Sequence, residues 1–208
     1  MWHGLFFGLA SLFTPQANLP NAALLHDEVR QFAQHFQINT DRIEVRESLL
    51  NNPSPFLTSS STKRCVLHIN QHSDAKRVWS HLLNTGEDGI EQAFISFSSG
   101  HELTHCLMSE PGKRASTRKA LETRLGMQFQ NNTHFEETLA DLLGLAYLAR
   151  VDPTGFSPVF NRLKTIRTDF SGRDPEHDST QALQTAHIEF AESLFIKPGL
   201  VELALTEP

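Results

Sequence analysis

Two histidines four residues apart, His101 and His105, flank a glutamate in the stretch His101-Glu102-Leu103-Thr104-His105. On an α-helix, residues at i and i+4 share a face about 6 Å apart along the axis, so both imidazoles can converge on one ion. Glu102 lies on the flank of that pair. There a carboxylate can take a proton from a water held in an open position of a zinc ion without being a ligand itself. The HExxH pattern therefore points to zinc-dependent hydrolysis, with His101 and His105 as metal ligands and Glu102 as the catalytic base.

A catalytic zinc takes a third protein ligand, and a carboxylate suits an ion that already carries two neutral imidazoles. Downstream, the apolar segment 133–144 (THFEETLADLLG) carries Glu137 and Asp141 four residues apart, on one helix face. Glu137 is the expected third ligand. Asp141, one turn further, is placed to accept the second ring N–H of a ligand histidine and so fix its tautomer. The neighbouring Glu136 is expected to form a capping box with Thr133 at the helix start.

These segments resemble the gluzincin clan of zinc metallopeptidases. HELTH at 101–105 reads as in thermolysin-like enzymes, and ETLADLLG at 137–144 is similar to their third-ligand helix, with its ExxxD pattern and following glycine. The resemblance implies a zincin-like fold, Zn2+ on His101, His105 and Glu137, Glu102 as base, Asp141 as the partner of His101, and activity on peptide or protein substrates. It also implies a later histidine that stabilises the oxyanion. His177, in the polar run 173–180 (RDPEHDST), is the expected residue, with a surface-loop histidine as the other reading. His187, beside Ala186 and Ile188, is expected to pack within a helix. The 31 residues between His105 and Glu137 exceed the spacing of thermolysin itself, so the likeness extends to the clan and its chemistry rather than to one family.

HExxH chemistry does not choose among amides. A zinc amidohydrolase acting on a cell-wall or lipid amide and a non-catalytic metal-binding interaction protein are the competing readings. The intact Glu102 argues against a pure binder, which has no need of a base beside the metal.

With 208 residues and 39% hydrophobic content, the chain can bury one sizeable core, and a single domain is expected. A net charge of −6 with dispersed Lys and Arg gives no broad basic footprint and argues against nucleic-acid binding. The one basic concentration, Lys113, Arg114, Arg118, Lys119 and Arg124, reads as a solvated helix face or as a recruiting patch for acidic groups. Residues 1–26 contain no Lys, Arg, Asp or Glu, and 5–13 (LFFGLASLF) is an apolar run of signal-peptide size. The expected division is a signal peptide at 1–17 and a zincin-like metallopeptidase domain at 18–208. The protein is then exported, periplasmic or secreted, with a cytoplasmic location as the alternative. Nine apolar residues are too few for a transmembrane helix, so no integral membrane segment is expected. Cys65 and Cys106 can form a disulfide in an oxidising compartment; two buried free thiols are the alternative.

These groups need elements to position them. Leu25, Val29, Phe32 and Phe36 repeat with helical spacing, and 42–47 and 65–70 read as short strands. The Asn-, Pro- and Ser-rich run at 51–62 reads as an exposed loop. Helices are expected at 74–83, 89–108, 115–125, 133–151, 157–169 and 179–195. The expected fold is α+β, a small N-terminal sheet followed by a helical body that carries the HExxH helix and the third-ligand helix. Strand 66–70 is read either as an edge at the cleft, able to pair with an extended peptide, or as an interior strand.

Overall fold

The first helix, α1 (Ala22–Phe36), starts where the Asn21 side-chain oxygen accepts the Leu24 amide, and it buries Leu25, Val29, Phe32 and Phe36 on one face. The computed structural model describes residues 18–37, 39–61, 63–84, 90–109, 113–170 and 174–195. The expected signal segment at 1–17 lies outside the described residues.

Three strands follow: β1 (Ile43–Ser48), β2 (Phe56–Ser60) and β3 (Cys65–Asn70). They form one sheet in the order β1-β3-β2, with β1 parallel and β2 antiparallel to β3. Strand β3 is therefore interior, which settles the alternative left open for 66–70, and β2 takes an outer position. The run 51–62, expected as a loop, contains β2. Phe56 is buried, whereas Ser59 and Ser60 are exposed, because an antiparallel strand at a sheet margin needs only part of its length covered. Serines that read as loop residues are tolerated there.

The helical body consists of α2 (Ser73–Leu83), α3 (Ile90–Met108), α4 (Lys113–Leu125), α5 (Asn132–Val151), α6 (Pro153–Phe170) and α7 (Thr185–Ser193). Helix α6 begins four residues before the expected start. Pro153 occupies its first turn and the Asp152 carboxylate accepts the Gly155 amide, so a run that reads as a break is a helix start. Helix α7 begins six residues late, because the Ser179 hydroxyl donates to Asp141 on α5 and draws 179–184 along that helix in irregular turns.

Helix α3 is buried on nearly every side and crosses α5 at the centre of the core. Two glycines allow the close approach: a Cβ on Gly144 would stand 2.8 Å from the Phe97 carbonyl oxygen and 3.1 Å from the His101 nitrogen, and one on Gly100 would stand 3.0 Å from the Gly144 Cα. Near that crossing a buried carboxylate, Glu28 of α1, accepts hydrogen bonds from Gln92 and Ser96 of α3 and from the Tyr147 hydroxyl of α5. Three donors satisfy the carboxylate oxygens, and burial together with the neighbouring Glu28 pushes the Tyr147 hydroxyl pKa up. Among the described residues no helix is long and apolar enough to cross a membrane.

Candidate metal centre

The glycine-lined crossing of α3 and α5 brings Glu137 of α5 to the face of α3 that carries both histidines. His101 Nε2 lies 3.5 Å from one carboxylate oxygen of Glu137, and His105 Nε2 lies 3.5 Å from the other. All three ligating atoms fall within 4.8 Å of one another. Bonds of about 2.0–2.1 Å in a tetrahedral zinc site separate ligand atoms by about 3.3 Å, so this donor set fits one divalent ion with little rearrangement. The spacing in sequence and the convergence in space agree for His101, His105 and Glu137.

The electrostatics of the cluster also favour a cation. Burial opposes charge on His101, yet the adjacent Asp141 and Glu137 carboxylates outweigh it and raise the imidazole pKa to about 10. Burial likewise opposes charge on Glu137, but the His101 and His105 rings hold its carboxyl down to about 2.

Asp141 stands behind His101 as expected, with His101 Nδ1 donating to Oδ1 at 2.9 Å. The structure adds two partners that sequence reasoning missed. Arg167 of α6 donates from Nε to Oδ2 at 2.7 Å and from Nη2 to Oδ1 at 2.8 Å, and Ser179 Oγ donates to Oδ2 at 2.5 Å. Each oxygen of this wholly buried carboxylate thus receives two donors. Burial alone would raise its pKa, but the Arg167 charge and the His101 bond lower it well below the usual range. No sequence pattern connects positions 141, 167 and 179, because they lie on three separate segments.

Glu136 departs from its expected role. The N-cap of α5 is Asn131, whose side chain accepts the His134 amide, so a Thr133 capping box does not form. Glu136 instead pairs with Arg114 of α4 at 2.7 Å and points its other oxygen toward His105 Nδ1, 4.0 Å away. Asparagine satisfies the helix start two residues earlier, which frees the glutamate for the site.

His177 lies at the centre, in a 3-10 turn at Pro175–His177. Its Nε2 is 3.8 Å from Glu137 Oε2, and its Nδ1 pairs with Asp174 at 2.8 Å. The segment around it is tied to α5: Asn131 donates to the Glu176 carboxylate, His134 Nε2 meets the Asp178 carbonyl oxygen at 3.1 Å, and Ser179 reaches Asp141. His187 is part-buried in α7, its Nδ1 3.2 Å from the Ala182 carbonyl oxygen, and remains outside the site.

At Glu102 of α3, the Thr58 hydroxyl of β2 lies 2.7 Å from Oε2 and 3.0 Å from the Glu102 carbonyl oxygen. A disulfide between Cys65, at the start of β3, and Cys106, next to His105, joins the sheet to the same helix with a Cα–Cα separation of 5.7 Å. Three basic residues of α4 have partners within the fold. Arg114 pairs with Glu136, Arg118 binds Glu122 and the Phe129 carbonyl oxygen, and Arg124 lies over the Phe190 ring. Arg114, Lys119 and Arg124 are exposed, in keeping with a solvated helix face.

Two imidazoles of α3 and one carboxylate of α5 converge on one point, and the Glu102 carboxylate of α3 is bonded to Thr58. Compared with known proteins, this chain matches no protein-family model, no curated protein and no solved structure.

Proposed function

We propose that this protein is a zinc-dependent metallopeptidase with a zincin-like domain. The observation that carries the reading is the placement of Glu137 between His101 and His105, with Glu102 on the HExxH helix but outside the donor set. Two neutral imidazoles and one carboxylate are a donor set that suits zinc and leaves a coordination position open. When bound there, zinc supplies Lewis acidity and brings the pKa of a coordinated water toward neutrality.

The chain's own residues account for the remaining steps. Glu102 takes a proton from the water that attacks the peptide carbonyl and returns it to the leaving amine as the C–N bond breaks. His177 is positioned beside Glu137 to hydrogen-bond the oxyanion through Nε2. Asp174, paired with Nδ1, holds the ring in that orientation. Asp141, saturated by Arg167 and Ser179, fixes the His101 ring so that Nε2 points toward Glu137, where it would bind the ion.

Peptide binding is assigned to β2. Among the described residues no strand pairs with its outer side, and it runs beside the Glu102 turn of α3, so an extended substrate can add to the sheet there through backbone hydrogen bonds. The disulfide favours an oxidising compartment and hence export.

The test compares wild type with Glu102→Gln on unfolded casein. The variant should retain one zinc per chain and lose at least about 100-fold in turnover, in keeping with removal of a general base. Full activity in Glu102→Gln would refute the assignment.

A further inference from the structure

We propose that Thr58 is a positioning residue that fixes the Glu102 carboxylate for proton transfer, and that the sheet and the disulfide exist at this place to hold it. The inference rests on the peptidase reading and assigns a residue outside the HExxH helix to the same site.

Two acceptors of one residue converge on the Thr58 hydroxyl, the Glu102 side chain at 2.7 Å and its backbone carbonyl at 3.0 Å. A threonine side chain has a stiff χ1, so a hydroxyl so placed defines a direction rather than a cloud of positions. With Thr58 donating to Oε2, proton transfer from water goes to Oε1: the water O–H bond breaks and the Oε1–H bond forms. An unheld glutamate on a helix would sample several rotamers, and few of them present an oxygen to the attacking water.

The position of Thr58 is itself fixed from two directions. Thr58 pairs with Leu67 and Ser60 pairs with Cys65 in the antiparallel register of β2 and β3. Cys65 is bonded to Cys106, one helical turn beyond Glu102 on α3. The covalent link therefore sets the height of β2 along α3, and Thr58 converts that height into the orientation of one carboxylate. The strand assigned to the peptide and the strand that aims the base are the same, so substrate register and proton transfer share one reference.

Thr58→Val removes the donor at constant shape, and Thr58→Ser keeps it. Each is compared with wild type and Glu102→Gln for zinc content, for kcat and KM on unfolded casein, and for calorimetric binding of acetohydroxamate, a bidentate zinc ligand that shares a proton with the neighbouring base. The expected result is one zinc per chain throughout. Thr58→Val should lose on the order of 10- to 100-fold in kcat with KM unchanged, and should bind acetohydroxamate correspondingly more weakly, as loss of a hydrogen bond to a charged group predicts. Thr58→Ser should recover most of both. Should Thr58→Val fail to fold, Thr58→Ala carries the same comparison. Wild-type kcat and wild-type acetohydroxamate affinity in the valine variant would overturn the role of Thr58 alone. A zinc-loaded wild type that leaves casein intact would overturn the peptidase reading, and the acetohydroxamate comparison would still decide on Thr58. A wild type that takes up no zinc would overturn both.

Discussion

His101 donates to Asp141 across the α3–α5 crossing at 2.9 Å, and Asp141 in turn receives both arms of Arg167 and the hydroxyl of Ser179. One acid thereby joins α3, which carries both histidines, to α6 and to the segment that carries His177. The orientation of a single imidazole depends on residues as far as 78 positions downstream.

Replacing Asp141 with Asn should weaken zinc binding by about 10- to 100-fold, because the His101 ring loses its fixing acceptor. It should also destabilise the fold by about 3 kcal/mol, because the buried Arg167 guanidinium loses its counter-charge. Competition with a chelator measures the first effect and denaturant unfolding the second. Unchanged zinc affinity would show that the His101 orientation is set elsewhere.

The glycine crossing gives an independent prediction. Alanine gains up to about 1 kcal/mol over glycine in helix propensity, but a methyl on Gly144 would meet backbone atoms of α3 that have no room to retreat. Overpacking of that kind costs about 1–3 kcal/mol, so Gly144→Ala should be destabilising overall and should lower zinc affinity by moving Glu137 away from the histidines. A more stable variant with full zinc affinity would contradict the close-approach argument.

The disulfide closes a loop with a sequence separation of 41 residues, for which chain entropy gives about 4 kcal/mol. The double variant Cys65→Ser, Cys106→Ser should unfold at correspondingly lower denaturant concentration. It should still take up zinc when folded, since neither sulfur is a ligand.

A pH-dependent contribution is expected from Glu192, away from the metal. Burial raises its pKa, but hydrogen bonds from His35 of α1 and Arg150 of α5 more than offset this, and the folded value lies below the ordinary 4.5. A depressed carboxyl stabilises the fold above its unfolded pKa and loses that contribution as pH falls through the folded value. Glu192→Gln should therefore cost about 1 kcal/mol at pH 7, discounted because Arg150 is 59% exposed, and almost nothing at the acid end of the folded range. Thermal melts of both proteins across that range would show the difference closing on acidification; a constant difference would contradict the linkage.

Much of the site was legible in the chain because α-helical spacing converts sequence directly into geometry. His101, Glu102 and His105 lie on one helix, Glu137 and Asp141 on another, and an i, i+4 relation states which side chains share a face. The cysteines were legible as a pair but not as a bond, since bonding depends on a distance between elements. Thr58, Arg167 and Ser179 were not legible at all. Each reaches the site through tertiary packing, and Thr58 lies in a serine-rich run that local composition assigns to a loop. Glu136 was misread for a related reason: a plausible capping box and an actual Asn131 cap lie two residues apart, and only the structure distinguishes them.

Metal content measured by elemental mass spectrometry on untagged protein, beside Glu137→Ala, tests the account most directly. One zinc per wild-type chain and a marked loss in the variant are expected. No bound metal in wild type after exposure to zinc, or equal zinc in both, would contradict it.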